Sequence, residues 1–484
     1  MNTAPAASAP AQRLLDRNFV LLFFGAMLFN MNYNGYFLLP YYLELRGTSE
    51  SFYGAVAGSF GLATFLSVVL LGHLGDAGKR KWLVTAYMVP FLVGNAIAIA
   101  AYRAAPEWYF AVRILHGVTS GLGFPLVYAW AVELGPPQRR TEVLAYMGIG
   151  FVFAAYAGPF VSEMILNLQA NPADPDAYLP VFISMQVIAM VALVLFLLVP
   201  HSQMAPAGAP SFVGQLRLLS RRATWLMLAI TTVFGGAFGI FFAFGKNYTA
   251  SLGLAYASVL FAGYGIGSVL TRATIRPLVL WLGTPTMIST ALAGYALSFL
   301  LLGFSQGYIL LGACGIVAGV SHGLLGPTST ARLFELQRPE EMGRSAILYH
   351  GFFGGGAGLF PYIGGVLLEV IDFHLLYLLM GGVCLLSVLL NVWVNRAGPA
   401  QIARLRAMPP TVAPGAPAGA AALPAAMRYR LPTLASAPQA STPAKPVAPA
   451  RPATPAMASP AAGPQAAWRS LGISRVLLLR RRGH

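Results

Sequence analysis

Four ionisable side chains lie inside long apolar stretches of this sequence, where an unpaired charge is costly. Arg113 and His116 share one stretch, and His322 and His350, which follows Tyr349, lie in two others. A guanidinium can bind an anion, and an imidazole can take up a proton near neutral pH. We therefore predict that Arg113, His116, His322, Tyr349 and His350 are candidates for binding a solute or a coupling proton. The alternatives are an interhelical structural bond for Arg113 and a satisfied core position for each histidine.

A polar cluster near the start of the chain offers partners for Arg113. Its members lie within seven residues of one another: Asn30, Asn32, Tyr33, Asn34 and Tyr36. Their amides and hydroxyls can hydrogen-bond a guanidinium or a solute, but an asparagine has no proton to exchange. The acidic residues lie near the ends of the apolar stretches and not in their middles. A cavity built from these groups therefore favours an anionic or zwitterionic organic solute.

Enzymatic and metal chemistry are not expected. Cys314 and Cys384 lie in apolar stretches without the spacing of metal ligands, and no H-E-x-x-H motif or pair of acidic metal ligands occurs. We predict that the chain is not an enzyme and needs no metal or cofactor. Nothing in the sequence resembles a nucleic-acid-binding fold.

The composition requires a membrane. Of the 484 residues, 57% are hydrophobic and only 10% are charged, and a soluble protein of this size needs more polar surface. Apolar runs of about 20 residues cross a hydrocarbon core as helices, and these runs lack the alternation of a membrane barrel. We predict an all-α membrane protein with twelve transmembrane helices, near residues 19–43, 52–72, 82–101, 108–133, 142–168, 178–199, 224–250, 255–274, 286–305, 307–333, 344–370 and 373–395.

These spans divide the chain into two groups of six. A short segment, 1–18, precedes the first bundle at 19–199, and a polar loop, 200–223, separates it from the second bundle at 224–396. The remaining tail, 397–484, is rich in Ala and Pro and cannot bury enough apolar surface to fold, so we predict that it is disordered. The tail carries much of the net charge of +16 and would be attracted to anionic lipids.

Basic residues mark one side of the membrane. They cluster in alternate short loops: Lys79, Arg80, Lys81, Arg139, Arg140, Arg217, Arg221 and Arg222. Loops rich in Lys and Arg stay in the cytoplasm. We therefore expect a multi-pass protein of the cell inner (cytoplasmic) membrane, monomeric, with both termini cytoplasmic.

An internal repeat relates the two halves. A shift of 202 residues aligns Gly117, Gly121, Pro125 and Glu133 with Gly319, Gly323, Pro327 and Glu335. Equivalent helices in the same order imply two pseudo-symmetric bundles related by an axis along the membrane normal. Such bundles can tilt about a central site, which is what alternating access requires.

The loop between the second and third spans resembles a signature of the major facilitator superfamily. Its sequence, Gly72-His73-Leu74-Gly75-Asp76-Ala77-Gly78-Lys79-Arg80-Lys81, is similar to the family's G-x-L-a-D-r-x-G-r-r. The resemblance covers roughly residues 15–396 and implies the twelve-helix fold. It also implies a gating loop that stabilises one state of the transport cycle, formed by Gly72, Asp76, Gly78, Lys79, Arg80 and Lys81.

Two further motifs extend the resemblance. The stretch from Arg113 to Gly117 looks like the family's R-x-x-q-G, in which the arginine is linked to proton coupling. Ala157-Gly158-Pro159 looks like the core of its antiporter motif, and Gly158, Pro159 and Pro361 are predicted helix bends. The resemblance implies an efflux-like carrier of drugs or metabolites, so we predict proton-coupled efflux of a small organic solute. The alternatives are an importer of an organic anion and a non-transporting receptor or scaffold.

Overall fold

The computed structural model describes residues 15–71, 80–136, 139–201, 218–338 and 341–407, which belong to one compact unit. The first span begins with α1 (Arg17–Gly35), whose start is capped by Asp16 through a 2.8 Å hydrogen bond from the Phe19 N–H. A 3₁₀ turn (Tyr36–Leu38) then joins α1 to a short helix (Leu39–Leu45). The break follows the asparagine-rich end of α1, where helix propensity is low.

Each remaining predicted span has its helix in the described part of the chain. These helices are α2 (Glu50–Leu71), α3 (Arg80–Ala100), α4 (Trp108–Leu134), α5 (Arg140–Asn167), α6 (Leu179–Leu198), α7 (Arg222–Ser251), α8 (Ser258–Leu282), α9 (Thr284–Leu302), α10 (Tyr308–Glu335), α11 (Met342–Leu368) and α12 (Phe373–Ala407). Within the described ranges, ten helical stretches are long and apolar enough to cross a membrane. The other two spans are α1 and α8. The asparagines of α1 lower its mean hydropathy, and α8 contains Arg272 and Arg276.

The two halves pack in the same way. In the first half, α1 contacts α5 and α6, α4 contacts α2 and α3, and α3 contacts α6. In the second half, α7 contacts α11 and α12, α10 contacts α8 and α9, and α9 contacts α12. Each pair of the first half therefore has its counterpart six helices later. The predicted all-α fold with two pseudo-symmetric six-helix bundles is confirmed.

The bundles meet where α2 crosses α11, and glycines line this crossing. A Cβ atom at Gly61 would lie 2.2 Å from the Gly358 nitrogen and 2.4 Å from the Gly354 carbonyl oxygen. A Cβ atom at Gly58 would lie 2.5 Å from the Gly358 oxygen. Small residues of this kind let two helix backbones touch within a membrane. The crossing is therefore a contact of backbone against backbone.

Because the twelve helices alternate in direction, Leu15 and Ala407 lie at the same end of the molecule, here called the terminal end. The other end is called the opposite end. Exposed tryptophans lie in the terminal half or at the opposite end of their helices, four toward the terminal end and one at the opposite end: Trp82, Trp225, Trp281 and Trp393, and Trp108. Tryptophan is enriched where a membrane meets water, so these side chains mark the two borders of the apolar belt.

The last helix is longer than predicted. It continues to Ala407, so the prediction that the chain is disordered from residue 397 is wrong for residues 397–407. Gln401 holds this extension on the second bundle: its amide nitrogen donates to the Thr224 hydroxyl and the Leu336 carbonyl, both at 2.9 Å. Composition alone could not reveal these distant hydrogen bonds. Residues 1–14 of the predicted segment 1–18, most of the central loop (202–217) and the tail from 408 lie outside the described residues.

An ion pair fastens the start of the second bundle at the terminal end. Arg221 donates to both carboxylate oxygens of Glu341, at 2.6 and 2.7 Å, and to Gln337. Burial raises the pKa of Glu341, but the hydrogen bonds from Arg221 and from the Arg338 N–H outweigh it, so the pKa is lowered. Since the folded pKa lies below the unfolded one, the stabilisation is present above the unfolded value. It is lost as pH falls through the folded value.

We expect Glu341→Gln to lower the free energy of unfolding by about 1 kcal/mol at neutral pH, after allowance for solvent screening. The loss should shrink as the pH falls through the folded pKa of Glu341, because the wild-type carboxylate is then protonated too. Thermal unfolding of the purified protein as a function of pH measures both effects. The control is Glu142→Gln, whose ion pair with Arg139 is exposed and should contribute little. Equal losses in the two variants would contradict this account of Glu341.

Candidate functional site

A pocket lies between the two bundles, beside the break in the first span. The first bundle contributes Tyr36, Phe37, Leu39, Pro40, Ala57, Phe60 and Arg113 to its lining. The second bundle contributes Phe238, Gly239, Ala243, Ala357 and Pro361. The walls are apolar and aromatic with few polar groups, as is usual for a small-molecule site. Because both bundles supply walls, any tilt of one against the other must change this pocket.

Arg113 is the charged residue of that lining. Its side chain is only 3% exposed, and its guanidinium carbon lies 4.3 Å from the centroid of the Phe60 ring, a cation–π contact. Among the described residues, its Nη1 atom has no hydrogen-bond partner. A buried N–H group without an acceptor is costly. Arg113 therefore carries a buried positive charge and an Nη1 donor that has no acceptor among the described residues.

The predicted asparagine partners of Arg113 serve one another and the backbone instead. The Tyr36 hydroxyl donates to Asn95 Oδ1 at 2.8 Å, and Asn95 Nδ2 lies 3.4 Å from Asn32 Oδ1. Asn32 Nδ2 donates to the Met185 carbonyl. These bonds tie the end of α1 to α3 and α6. The sequence prediction missed Asn95, although an isolated asparagine in an apolar span is a recognisable signal.

The other members of the polar cluster are also fixed in place. Asn34 Nδ2 donates to Asn30 at two atoms, the backbone oxygen at 2.7 Å and Oδ1 at 3.0 Å. The Tyr33 ring stacks on Phe60, with 5.4 Å between centroids. Tyr33 therefore supports the ring that carries Arg113, whereas Tyr36 reaches the pocket itself. Asn30, Asn32 and Asn34 are not among the residues that line that pocket.

His116 lies inside the first bundle. Its ring is 4.6 Å from the Tyr36 ring and 4.7 Å from the Phe91 ring, measured between centroids. A Cβ atom at Gly94 would lie 2.8 Å from the imidazole, so α3 leaves room for it. Its ring nitrogens lack hydrogen-bond partners in the described part of the chain. His116 therefore packs behind Tyr36 and does not line the pocket.

His322 occupies an aromatic cage in the second bundle. Its Nδ1 atom is 3.1 Å from the Tyr295 hydroxyl, which in turn is 3.3 Å from the Tyr264 hydroxyl. The Phe238 ring lies 5.7 Å from the imidazole and also lines the pocket. His322 is thus separated from the pocket by one aromatic layer.

Tyr349 and His350 lie nearer the terminal end of α11 than the pocket does. The Tyr349 hydroxyl is 2.9 Å from the Ser329 hydroxyl and donates to the Gly326 carbonyl at 3.3 Å. His350 is exposed, with its ring 5.8 Å from that of Tyr349. The structure does not bring these two residues to Arg113.

One pentapeptide has the letters of a hydrolase motif. Residues 319–323 read Gly-Val-Ser-His-Gly, which matches G-x-S-x-G. The motif acts as a nucleophile elbow only at a sharp turn from a strand into a helix. Here it lies inside α10, and the Ser321 hydroxyl donates to the Val317 carbonyl at 2.8 Å. The stretch is ordinary transmembrane helix.

Part of the predicted gating loop can be located. Gly72, Asp76, Gly78 and Lys79 lie outside the described residues. Arg80 pairs with Glu133 at 3.0 Å in a largely buried site, joining the start of α3 to the end of α4. Lys81 donates to the Leu197 carbonyl at 2.7 Å. Both basic residues therefore hold helices of the first bundle together at the terminal end.

Of the predicted helix-bend residues, Gly158 and Pro361 lie at close contacts between helices. A Cβ atom at Gly158 would lie 2.4 Å from the Met31 oxygen and 2.7 Å from the Gly35 nitrogen. Gly158 therefore permits α5 to touch α1 just before α1 breaks. Pro159 lies inside α5, and Pro361 lies inside α11, where it lines the pocket.

A buried ion pair at the opposite end was not predicted. Lys246 on α7 lies 2.6 Å from Glu163 on α5. Beside it, Asn247 donates to Glu44 at 2.6 Å. Both Lys246 and Glu163 lie near the ends of their spans. This similar depth in the membrane was the feature of the sequence that hinted at their pairing.

Known proteins resemble this chain in sequence and in fold. The family model of the Major Facilitator Superfamily matches residues 19–281 and 246–479. "Hippocampus abundant transcript-like protein 1" from Homo sapiens is 25% identical over 333 residues, which are 64% of this chain and 62% of that protein. "Major facilitator superfamily domain-containing protein 10" from Bos taurus is 26% identical over 180 residues, 37% of each chain. This chain thus spans only 54% to 62% of the Hippocampus abundant transcript-like proteins it matches from cattle and human.

Two solved structures illustrate the shared fold. That of the nucleoside transporter NupG superposes with a TM-score of 0.62 at 15% identity, covering 79% of this chain and 99% of NupG. That of the human organic anion transporter MFSD10 (TETRAN) superposes with a TM-score of 0.56 at 17% identity, covering 78% and 100%. At these identities the likeness shows the fold alone.

Proposed function

This chain belongs to the Major Facilitator Superfamily, and we propose that it is a membrane transporter whose solute is a small organic anion or zwitterion. The observation that carries the proposal is Arg113, a buried guanidinium in the pocket between the bundles whose Nη1 donor lacks a partner among the described residues. An anionic group would supply the missing acceptor and neutralise the charge. An organic cation would add a second buried positive charge.

The shape of the pocket supports an organic solute. Phe37, Phe60 and Phe238 supply aromatic surface around Arg113, and such walls bind the apolar part of a ligand while the polar groups orient it. Human MFSD10, described as an organic anion transporter, shares the fold. Nucleosides and peptides are carried by other proteins of this fold, so the fold does not select the solute.

We propose alternating access with proton-coupled efflux as the mode of transport. The resemblance of Ala157-Gly158-Pro159 to the antiporter motif supports efflux, because Gly158 lies at the close contact of α5 with α1. Import of the same anion is the second candidate, since a cationic pocket serves transport in either direction. The terminal end would face the cytoplasm, because Arg80, Lys81 and Arg140 lie there. The membrane would be the cell inner membrane and the protein a monomer.

Counterflow in proteoliposomes tests the solute class, because it gives a signal whether the carrier imports or exports its solute. Vesicles loaded with a panel of unlabelled organic acids, their neutral amides and matched amines would be given trace labelled compound. We expect accumulation for carboxylates, and at least about tenfold less for the isosteric amides, since one charged hydrogen bond contributes more than the 1.4 kcal/mol that tenfold requires. Equal rates for amines and carboxylates would contradict the proposal. An imposed pH gradient of either sign then reports coupling and direction.

Removal of residues 408–484 should leave this transport unchanged. The pocket and the contacts between the bundles described above all lie within residues 15–407, and Gln401 anchors α12 before the deletion begins. Counterflow per purified transporter measures the effect, with the intact chain as control. Loss of transport with an unchanged elution profile would show that the tail takes part, as a receptor with a docking tail would require.

A further inference from the structure

We propose that Glu163 is the proton-binding group of a latch that holds the two bundles together at the opposite end. The latch comprises Glu163, Lys246, and the backbone of residues 255–258. This inference deepens the transport function proposed above and rests on its alternating access. It assigns the coupling proton to the closure of the pocket and not to the solute site.

Glu163 gathers three donors on one carboxylate. Its Oε1 atom accepts from Lys246 Nζ at 2.6 Å and from the Ala257 N–H at 3.0 Å, and its Oε2 atom accepts from the Ser258 N–H. Ser258 begins α8, so the carboxylate also lies at the positive end of a long helix. Glu163 is only 1% exposed. The site is therefore built for the ionised form of this side chain.

Every one of those donors belongs to the other bundle. Glu163 lies near the end of α5 in the first bundle, whereas Lys246 and residues 257 and 258 belong to the second. Lys246 is additionally held by the Ala255 carbonyl at 2.6 Å. Separation of the bundles at this end must break all three bonds to Glu163 together. It would leave the Glu163 carboxylate without these partners.

Protonation of Glu163 weakens the contacts that hold the two bundles together at the opposite end. A neutral carboxyl group has no ion pair with Lys246 and gains little from the end of α8. Lys246 keeps its bond to the Ala255 carbonyl when the bundles separate, because both residues belong to the second bundle. Protonation of Glu163 would therefore remove the charge that the three donors of the second bundle hold, and we expect a fall in pH to shift the population toward opening.

Other titratable groups surround the latch. Lys246 faces Glu163 from α7, Tyr41 lies against Lys246 from the first span, and Tyr178 approaches from the segment before α6. Glu44 is the second carboxyl group nearby, but it is exposed and accepts from the Asn247 amide, not from a cation. Of the two carboxyl groups, Glu163 alone is buried and ion-paired. Glu44 is the matched control.

The test measures opening without any solute. Spin labels would be attached to Leu168→Cys, just beyond α5, and Ile309→Cys, near the start of α10, in the full chain with Cys314 and Cys384 replaced by alanine. Both labelled positions are well exposed, at 77% and 93%. Pulsed electron spin resonance of the protein in nanodiscs would record the distance between labels across a pH series. Gel filtration of each variant confirms that it is folded.

We expect a longer distance between the labels to appear in the parent protein as pH falls. The population with this longer distance should follow the titration curve of a single group. Glu163→Gln should show the longer distance at every pH, because it cannot form the ion pair, and Lys246→Met should do the same. Lys246→Arg and Glu44→Gln should keep the parent's pH response. A parent-like pH response in Glu163→Gln, or its loss in Glu44→Gln, would overturn the proposal. Since no solute is added, failure of the anion assignment would leave this result unaffected.

Discussion

Replacing Arg113 with alanine is expected to raise the KM for organic anion counterflow by about 10- to 100-fold, the value of one hydrogen bond to a charged group. The side chain is the charged group of the pocket between the bundles, and its free Nη1 donor has no acceptor among the described residues. Without it, an anion entering the pocket would exchange water for aromatic rings alone. Arg113→Lys keeps the charge but not the planar pair of donors, so its KM should lie between those of the wild type and Arg113→Ala.

The matched control for Arg113 is Arg103→Ala. Arg103 is an exposed arginine at the opposite end, paired with Asp176, and its loss should leave the KM unchanged. The KM and the maximal rate are measured in proteoliposomes with the best carboxylate from the panel. A wild-type KM in Arg113→Ala would show that the pocket around Phe60 does not bind the transported anion.

Replacing Gly61 with valine is expected to destabilise the protein and to abolish transport. Its first added carbon would lie 2.2 Å from the Gly358 nitrogen and 2.4 Å from the Gly354 oxygen. These are backbone atoms of α11, so no side chain can move aside. Overpacking of this kind costs about 1–3 kcal/mol when neighbours can adjust, and here two helices must separate. A thermal unfolding midpoint and the counterflow rate measure the two effects.

Gly382→Ala is the matched control for that substitution. Gly382 also lies in the interior of a helix, α12, and a Cβ atom there would meet nothing within 4 Å. Since alanine favours a helix by about 1 kcal/mol over glycine, this variant should be as stable as the parent or slightly more so. Unimpaired stability and transport in Gly61→Val would contradict the close crossing of α2 with α11.

Hydropathy and the internal repeat were sufficient to predict the twelve helices and the two bundles. Hydropathy is read from each stretch by itself, and the repeat is read from a constant shift along the sequence. A segment that crosses a membrane also has few alternatives to a helix. The break after Gly35 could be suspected from its asparagines. The extension of α12 could not, because Gln401 is held by Thr224 and Leu336, far away in sequence.

The sequence predicted the candidate site less well. Arg113 and His116 are three residues apart, and that separation turns side chains on a helix by about 60°. Arg113 therefore reaches the pocket while His116 packs against Tyr36 and Phe91. Which face of a buried helix meets a cavity depends on its neighbours, and an apolar span carries little pattern to reveal it. The pairing of Glu163 with Lys246 joins two spans in different bundles, and the sequence hints at it through the similar depth of the two residues but does not reveal that their spans are neighbours.

The glycine crossing of α2 with α11 has a consequence for how such a carrier can diversify. Because its contacts are made by main-chain atoms, the crossing has no rotamers to rearrange when the bundles turn, and its geometry is independent of which solute is present. The aromatic residues of the pocket, by contrast, would touch the proposed solute and can vary in size and shape. Selectivity could therefore change through Phe37 or Phe238 while the crossing of α2 with α11 keeps its geometry.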